Sequence, residues 1–380
     1  MQALGEASEW AVEAPSDEEM KRLRAGIIFG GQSGEHEVSL ASAASVLQAI
    51  DRRHYEPVLL GITKDGQWLT GGDPLRALTE ASGVKLPLPP PSGSDASVKI
   101  EGKHEGRDGF PARLARQLHV VFPLIHGPFG EDGTLQGLLE LADLPYVGAG
   151  VLASAVGMDK AMQKSVFRAA GLRVVEHLVI LRREWEREPE AVLARAATAV
   201  GFPCFVKPSN QGSSVGISKA RESRELEQSL ALAARYDRKL LVERAASGRE
   251  IEVAVLGNEV PEASFPGEIL PGKEWYDYEA KYTAGLARFV IPAPLTEKLT
   301  GELRRLAVAA FHSIDAAGMA RVDFFLEGDR ILVNEINTIP GFTETSAYPR
   351  LWQATGLPFP SLIDRLIQLA LERHREKHRQ

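Results

Sequence analysis

The chain carries a single cysteine, Cys204, in 380 residues. No internal disulfide can form, and no cysteine-based zinc site can be built. No stretch approaches the ~18 consecutive apolar residues of a membrane helix. The opening, MQALGEASEWAVEAPSDEEMKRL, scatters acids where an export signal needs an apolar run. A cytoplasmic protein without membrane contact is expected, with residues 1–23 as a flexible, solvated leader. An excess of basic charge is also missing. Lys and Arg number 44 against 51 Asp and Glu, a net charge of −7, which argues against a nucleic-acid partner but leaves room for a local basic pocket. The P-loop pattern G-x-x-x-x-G-K-[ST] occurs nowhere. The turn Phe29-Gly30-Gly31-Gln32-Ser33-Gly34 lacks the first glycine of G-x-G-x-x-G, which disfavours an NAD-dependent oxidoreductase.

What is present is ordinary for a globular chain: 44% hydrophobic and 25% charged residues, in a length that suggests two or three domains. AGIIFGG followed by a helical pattern with Val38, Ala41, Val46 and Ile50 reads as strand, glycine turn, helix. YEPVLLGI and HVVFPLI read as further buried strands of one α/β layer. The Pro-, Gly- and Ser-rich stretch SGVKLPLPPPSGSDASVKIEGKHEGRDG reads as a surface insertion or hairpin. Beyond it, MDKAMQKSVFRAAGL reads as a helix stopped at Gly171, FPCFVKP and KLLVER as strands around a helix, and PSLIDRLIQLALERH as a closing helix.

Two constellations carry chemistry. In KPSNQGSSVGISK a strand ends at Lys207 and a loop with Gly212, Ser213, Ser214 and Gly216 follows. Small residues let backbone N–H groups approach an anion, hydroxyls add donors, and the lysine supplies a point charge. A plain flexible linker is the competing reading. In RVDFFLEGDRILVNEIN two strands face each other across Glu327-Gly328-Asp329-Arg330. Period-2 alternation sets Arg321 and Asp323 on one face of the first strand, and Glu335 and Asn337 on one face of the second. A three-residue turn or a bulge would bring Asp323 level with Glu335. Hard oxygen donors gathered this way suit Mg²⁺ beside phosphates; a solvated polar sheet face is the alternative.

With GGQSGEHEVSL, HGPFGEDGTLQGLLE, GMDK, VKPSNQGSSVG, YDYEAKY, RVDFF and NEINTIPGFTETS in this order, the sequence resembles the ATP-grasp ligases, and within them the D-alanine:D-alanine ligases, from about Ala25 to Ala370. The resemblance implies an α/β (α+β), three-domain ATP-grasp fold with an N-terminal open parallel-sheet domain: residues 24–148 for the substrate, then 149–243 and 244–375 clamping the nucleotide, the last carrying the metal site. It implies ligation of two D-alanines through an acyl phosphate, with ATP as co-substrate, two Mg²⁺ or Mn²⁺ ions, a role in peptidoglycan synthesis, and a homodimer. Lys160, Lys207 and Lys281 then resemble the lysines on the ATP phosphates, joined by the Ser213–Ser214 loop. Glu243, with the backbone at Arg244 and Ala246, resembles the adenine hinge, and Glu250 the ribose carboxylate. Asp323, Glu335 and Asn337 match the magnesium ligands, and Arg321 with the Gly341 backbone would steady the oxyanion. Glu35 resembles the anchor of the first substrate's ammonium, tied to Ser213 and Tyr282. His126 stands beside that substrate, and Ser346 on the carboxylate of the second. Glu37 is a neighbouring carboxylate that a helix start would equally explain. YDYEAKYTAG reads as a lid over the intermediate. A D-alanine:D-lactate ligase, another ATP-grasp carboxylate–amine ligase, and a nucleotide-binding regulator without chemistry are the rival readings.

Overall fold

The structure is a computed structural model that describes residues 22–88, 114, 116–271 and 287–379. Residues 1–21 of the expected 1–23 leader, most of the insertion, and the expected lid with Lys281 and Tyr282 lie outside the described residues, while Leu23 already belongs to a strand.

The chain opens with β1 (Leu23–Gly30), α1 (His36–Ala49), β2 (Tyr55–Ile62), the short β3 (Trp68–Leu69), α2 (Pro74–Ser82), β4 (Val120–Pro123) and α3 (Thr134–Leu141). β1 pairs in parallel with β2 and β4, and β3 closes the edge antiparallel, in the order β3-β2-β1-β4. Ile27, Ile28 and Phe29 are all fully buried. A strand covered on both faces needs such a continuous apolar run, which is what the sequence shows.

Two consecutive helices, α4 (Val151–Met158) and α5 (Lys160–Ala169), lead into a four-stranded antiparallel sheet. Its members are β5 (His177–Leu181), α6 (Arg182–Arg187), α7 (Pro189–Ala199), β6 (Cys204–Pro208), β7 (Ser218–Ala220), α8 (Ser223–Ala233) and β8 (Lys239–Arg244), with strand order β5-β8-β6-β7. Cys204 is a buried core residue of β6.

The third sheet follows: β9 (Arg249–Gly257), β10 (Glu262–Ala263), β11 (Gly267–Pro271), β12 (Ala287–Val290), then α9 (Glu297–Ser313), β13 (Gly318–Glu327) and β14 (Arg330–Asn337). The order is β12-β11-β9-β13-β14, with β10 on β9. α10 (Ala347–Thr355) and α11 (Phe359–Lys377) complete the chain. No described helix is long and apolar enough to cross a membrane.

Packing divides the chain differently from sequence order. Ala149, Ala153, Phe167, Leu172 and Val174 share a core with Val253, Val322 and Phe324 of the third sheet. The stretch expected to open the central unit at 149 therefore packs on the C-terminal one. Likewise Trp352, Leu362 and Leu366 of the last two helices are buried with Phe29 and Phe122 of the first sheet. Apolar faces seek any complementary face, and chain proximity does not fix which.

The start of β13 is pressed against the end of the first unit. Gly318 has φ 72°, and a Cβ there would lie 3.0 Å from Gly148 N and 3.1 Å from its Cα. Both the left-handed backbone and the contact with main-chain atoms require glycine. We predict that G318A lowers stability by about 2 kcal/mol; an unchanged thermal unfolding midpoint would show that this approach carries no constraint.

Candidate active site

The hairpin β13–β14 turns tightly, with Glu327 paired to Arg330. Along it Phe324 pairs with Val333 but Asp323 pairs with Glu335, so Asn334 is an extra residue in a bulge. That shift sets the two carboxylates directly opposite, and Arg321 opposite Asn337. Arg321 grips Asp323 with two bonds, Nε to Oδ1 at 2.7 Å and Nη2 to Oδ2 at 2.8 Å, and its Nε lies 3.2 Å from Glu252 Oε1. Asn337 Nδ2 donates to Asp323 Oδ2 at 3.1 Å. Burial works against the charge of Arg321, but Asp323 and Glu252 outweigh it and raise its pKa further. Two carboxylates and an amide side by side are the hard oxygen donors that magnesium or manganese takes, so the donor set fits such an ion.

Lysines face this hairpin from α5. Asp159 caps the helix, accepting from the Ala161 and Met162 amides, both at 3.1 Å. Lys160 and Lys164 follow on one helical face. Lys160 Nζ lies 3.8 Å from Glu335 Oε2 and donates to Gln211 O at 2.8 Å. Lys164 is 2% exposed. It pairs with Glu243 Oε1 at 2.6 Å and donates to Asn334 O, the bulge carbonyl, at 3.0 Å. Lys207 at the end of β6 pairs with the other Glu243 oxygen at 2.5 Å. Burial opposes ionisation of Glu243, yet the two lysines hold its carboxyl well below the usual carboxylate range. Burial also opposes the charge on Lys207, and Glu243, Glu335 and Glu250 overcome it and raise the lysine's pKa.

The adenine-hinge assignment thus meets groups already engaged: both Glu243 oxygens sit on lysines, and the Arg244 and Ala245 amides donate to Glu176 O at 3.0 Å and Pro203 O at 2.9 Å. Arg244 braces the hinge from outside, binding Glu176 Oε2 at 2.8 Å and Glu327 with bonds of 2.8 and 3.1 Å. Ala246 lies in the connection to β9, and Glu250 pairs with Ile269 and Phe325 within the third sheet.

The substrate end joins all three units. Glu35 precedes α1, and Ser213 Oγ donates to its Oε1 across 178 positions of sequence. A Cβ on Gly212 would lie 2.7 Å from Glu35 Oε2, so the glycine leaves room for the carboxylate in its present position. Ser213 and Ser214 both adopt left-handed backbone, φ 46° and 59°. His126 is buried. Its Nδ1 lies 3.0 Å from Ile339 O, which fixes that nitrogen as the donor, while its Nε2 has no hydrogen-bond partner among the described residues. Burial pushes its pKa down, partly countered by Glu35. Ser346 caps α10 beside Gly341: its Oγ contacts Thr343 Oγ1 at 2.7 Å, and a Cβ on Gly341 would lie 3.3 Å from it.

Sequence reasoning missed three partners. Lys164 follows Lys160 by one turn, the only signal available. Glu252 precedes Arg321 by many residues and meets it only through the β9–β13 ladder. Glu131, inside the motif HGPFGEDG, accepts from Gly127 N at 2.6 Å, and burial and the charge of Glu35 push its carboxyl up to about 8.

Comparison with known proteins gives the family. Residues 24–149 match the family model "D-ala D-ala ligase N-terminus", and residues 166–368 match "D-ala D-ala ligase C-terminus". The chain belongs to the D-ala D-ala ligase family. A D-alanine--D-alanine ligase of Geobacillus thermodenitrificans is 47% identical over 94% of this chain and 97% of its own length. Among solved structures, the D-alanine-D-alanine ligase from Coxiella burnetii superposes with TM-score 0.76 at 38% identity, covering 94% of this chain and 96% of that one. The VanG D-Ala:D-Ser ligase from Enterococcus faecalis also gives 0.76, at 32% identity over 92% of this chain and all (100%) of its own. The family members share the three-domain ATP-grasp fold expected from the motifs.

Two predictions follow from the buried charges. K164M strips Glu243 of one of its two cations and should cost about 3 kcal/mol, part of which K164M/E243Q recovers because the under-compensated buried carboxylate is gone while Lys207 keeps Glu335 and Glu250 nearby; denaturant unfolding of both variants checks this, and equal losses would show that Glu243 does not depend on Lys164. Glu131 gives a pH signature. Its folded pKa exceeds the unfolded one, so between pH 4.5 and about 8 the folded state holds an extra proton and stability falls as pH rises. E131Q, which keeps an oxygen for Gly127, should flatten that decline; an identical pH profile of the thermal midpoint would rule the titration out.

Proposed function

We infer that this protein joins two D-alanine molecules into D-alanyl-D-alanine, converting ATP to ADP and phosphate through D-alanyl phosphate. The observation that carries the reading is the opposition of Asp323 and Glu335 beside Lys160 and Lys207, next to a substrate end built from Glu35, His126 and Ser346. A carboxylate is a poor electrophile, and phosphorylation gives it a leaving group.

Lys160 and Lys207 are placed to take the nucleotide's phosphates as point charges, with Glu243 holding Lys207 in position. Asp323, Glu335 and Asn337 would hold magnesium or manganese, which supplies Lewis-acid neutralisation of the phosphate oxygens. Arg321, five-pronged and fixed by Asp323 and Glu252, lies where negative charge develops. The lone acceptor His126 Nε2 and the Glu35 carboxylate suit a substrate ammonium, which can only donate. Gly341 and Ser346 at the start of α10 suit a carboxylate, favoured at a helix N-terminus. The second molecule's amine then attacks the acyl carbon, and phosphate departs with the bonding electrons. Lys281 and Tyr282 complete the proposal as a cover that keeps water from the acyl phosphate. Cytoplasmic location, supply of peptidoglycan precursors and a homodimer belong to this reading on family grounds.

Phosphate release should require D-alanine, and E335Q should lower it by about 100-fold or more while preserving the fold. Release with no amino acid present, or equal release with D-lactate as acceptor, would displace the reading; near-normal turnover of E335Q would remove that residue from the metal.

A further inference from the structure

Among the described residues, one group of three ligating side chains has its donor atoms within 4.8 Å of one another: Asp143, His374 and His378. It shares no residue with the cleft above. His374 and His378 stand one helical turn apart near the end of α11, their ring centroids 4.4 Å apart. Asp143 follows α3 and reaches them across the interface between the first unit and the last helix.

The geometry fixes which atoms are on offer. His378 Nδ1 lies 2.8 Å from His374 O. A carbonyl oxygen only accepts, so the proton sits on Nδ1 and the neutral ring turns the Nε2 lone pair outward. That Nε2 is 3.0 Å from Asp143 Oδ1, while His374 Nε2 is 3.1 Å from the same oxygen and 3.2 Å from the Asp143 carbonyl, so without an ion it is that ring's N–H donor. A lone pair and a carboxylate oxygen at such range repel unless a cation stands with them. A divalent metal would replace the His374 Nε2 proton, the neutral ring then carrying its proton on Nδ1, and would meet both nitrogens and the carboxylate together. The Nδ1–carbonyl bond is also the outer support that metal-binding histidines use. Two imidazoles and one carboxylate select a borderline ion such as zinc or nickel over magnesium. Asp143 and His374 line a cleft of about 560 Å³, which leaves a way in for the ion and for a water on it.

We propose that Asp143, His374 and His378 form a transition-metal site that clamps the C-terminal helix to the end of α3, for which zinc is the probe. The clamp adds to contacts already there: Lys377 with Glu140, and Arg373 with the Tyr146 carbonyl at 3.1 Å.

Calorimetric titration of zinc chloride into the chelator-treated full-length protein, in excess magnesium, tests it. One zinc should bind per chain, with X-ray absorption showing two imidazole nitrogens, and zinc should raise the thermal midpoint. D143N keeps a residue that tolerates the left-handed backbone of position 143 (φ 54°), and H378A alters a half-exposed side chain at a helix end. Each should weaken zinc by about tenfold or more and abolish the thermal shift, whereas E335Q should leave both unchanged. No saturable binding, or binding that survives in both D143N and H378A, overturns the site.

Discussion

One carboxylate between two lysines governs the cleft. Glu243 is buried, and without Lys164 and Lys207 its charge would be intolerable there. Without Glu243 the two ammonium groups would repel across the same space. The arrangement fixes each group by the needs of the others. It also reaches beyond itself, because Lys164 spends a second hydrogen bond on the carbonyl of Asn334. Asn334 is the bulge residue, and the bulge decides that Asp323 faces Glu335. Side chains of the central sheet, of α5 and of the hairpin are therefore set by one desolvated cluster. Gln163 reinforces it, exchanging bonds of 3.1 and 3.2 Å with the Ile336 backbone on the outer edge of β14.

The charges at the hairpin are arranged for exchange rather than permanence. Arg321 occupies both oxygens of Asp323. On the proposed reading a divalent ion on Asp323 would compete with Arg321 for those oxygens, and Glu252, 3.2 Å from the guanidinium, would retain it. The arginine would thereby stay close with donors released, as the proposed meeting with developing phosphate charge requires. Lys160 stands in a similar relation to Glu335: at 3.8 Å it balances the carboxylate without closing on it.

Much of this was legible in the sequence, for local reasons. Strand periodicity set the faces within each strand, but bringing Asp323 level with Glu335 needed either a three-residue turn or a bulge, and the two-residue turn Gly328-Asp329 leaves that to the bulge at Asn334. The strand–loop pattern at Lys207 was legible from neighbouring residues alone. Lys164 was not, since a lysine one turn after another looks like solvated helix surface until Glu243, 79 positions on, is folded against it. Nor was the allegiance of residues 149–174 or of α10 and α11, whose apolar faces are compatible with several sheets. Long-range partners are chosen by packing and desolvation, and neither leaves a periodic trace.

The bond between Ser213 and Glu35 shows how these levels meet. The Gly212–Gly216 loop belongs to the phosphate end, while Glu35 starts the helix of the first unit and faces the substrate end. Gly212 permits contact with the carboxylate, and the left-handed Ser213 turns its hydroxyl inward. A loop shaped for an anion is thus held by the very group suited to a substrate's ammonium. Each hydrogen bond that Glu35 would accept from a substrate's ammonium would change what it offers Ser213, so on the proposed reading filling either end would alter the other through a single shared acceptor.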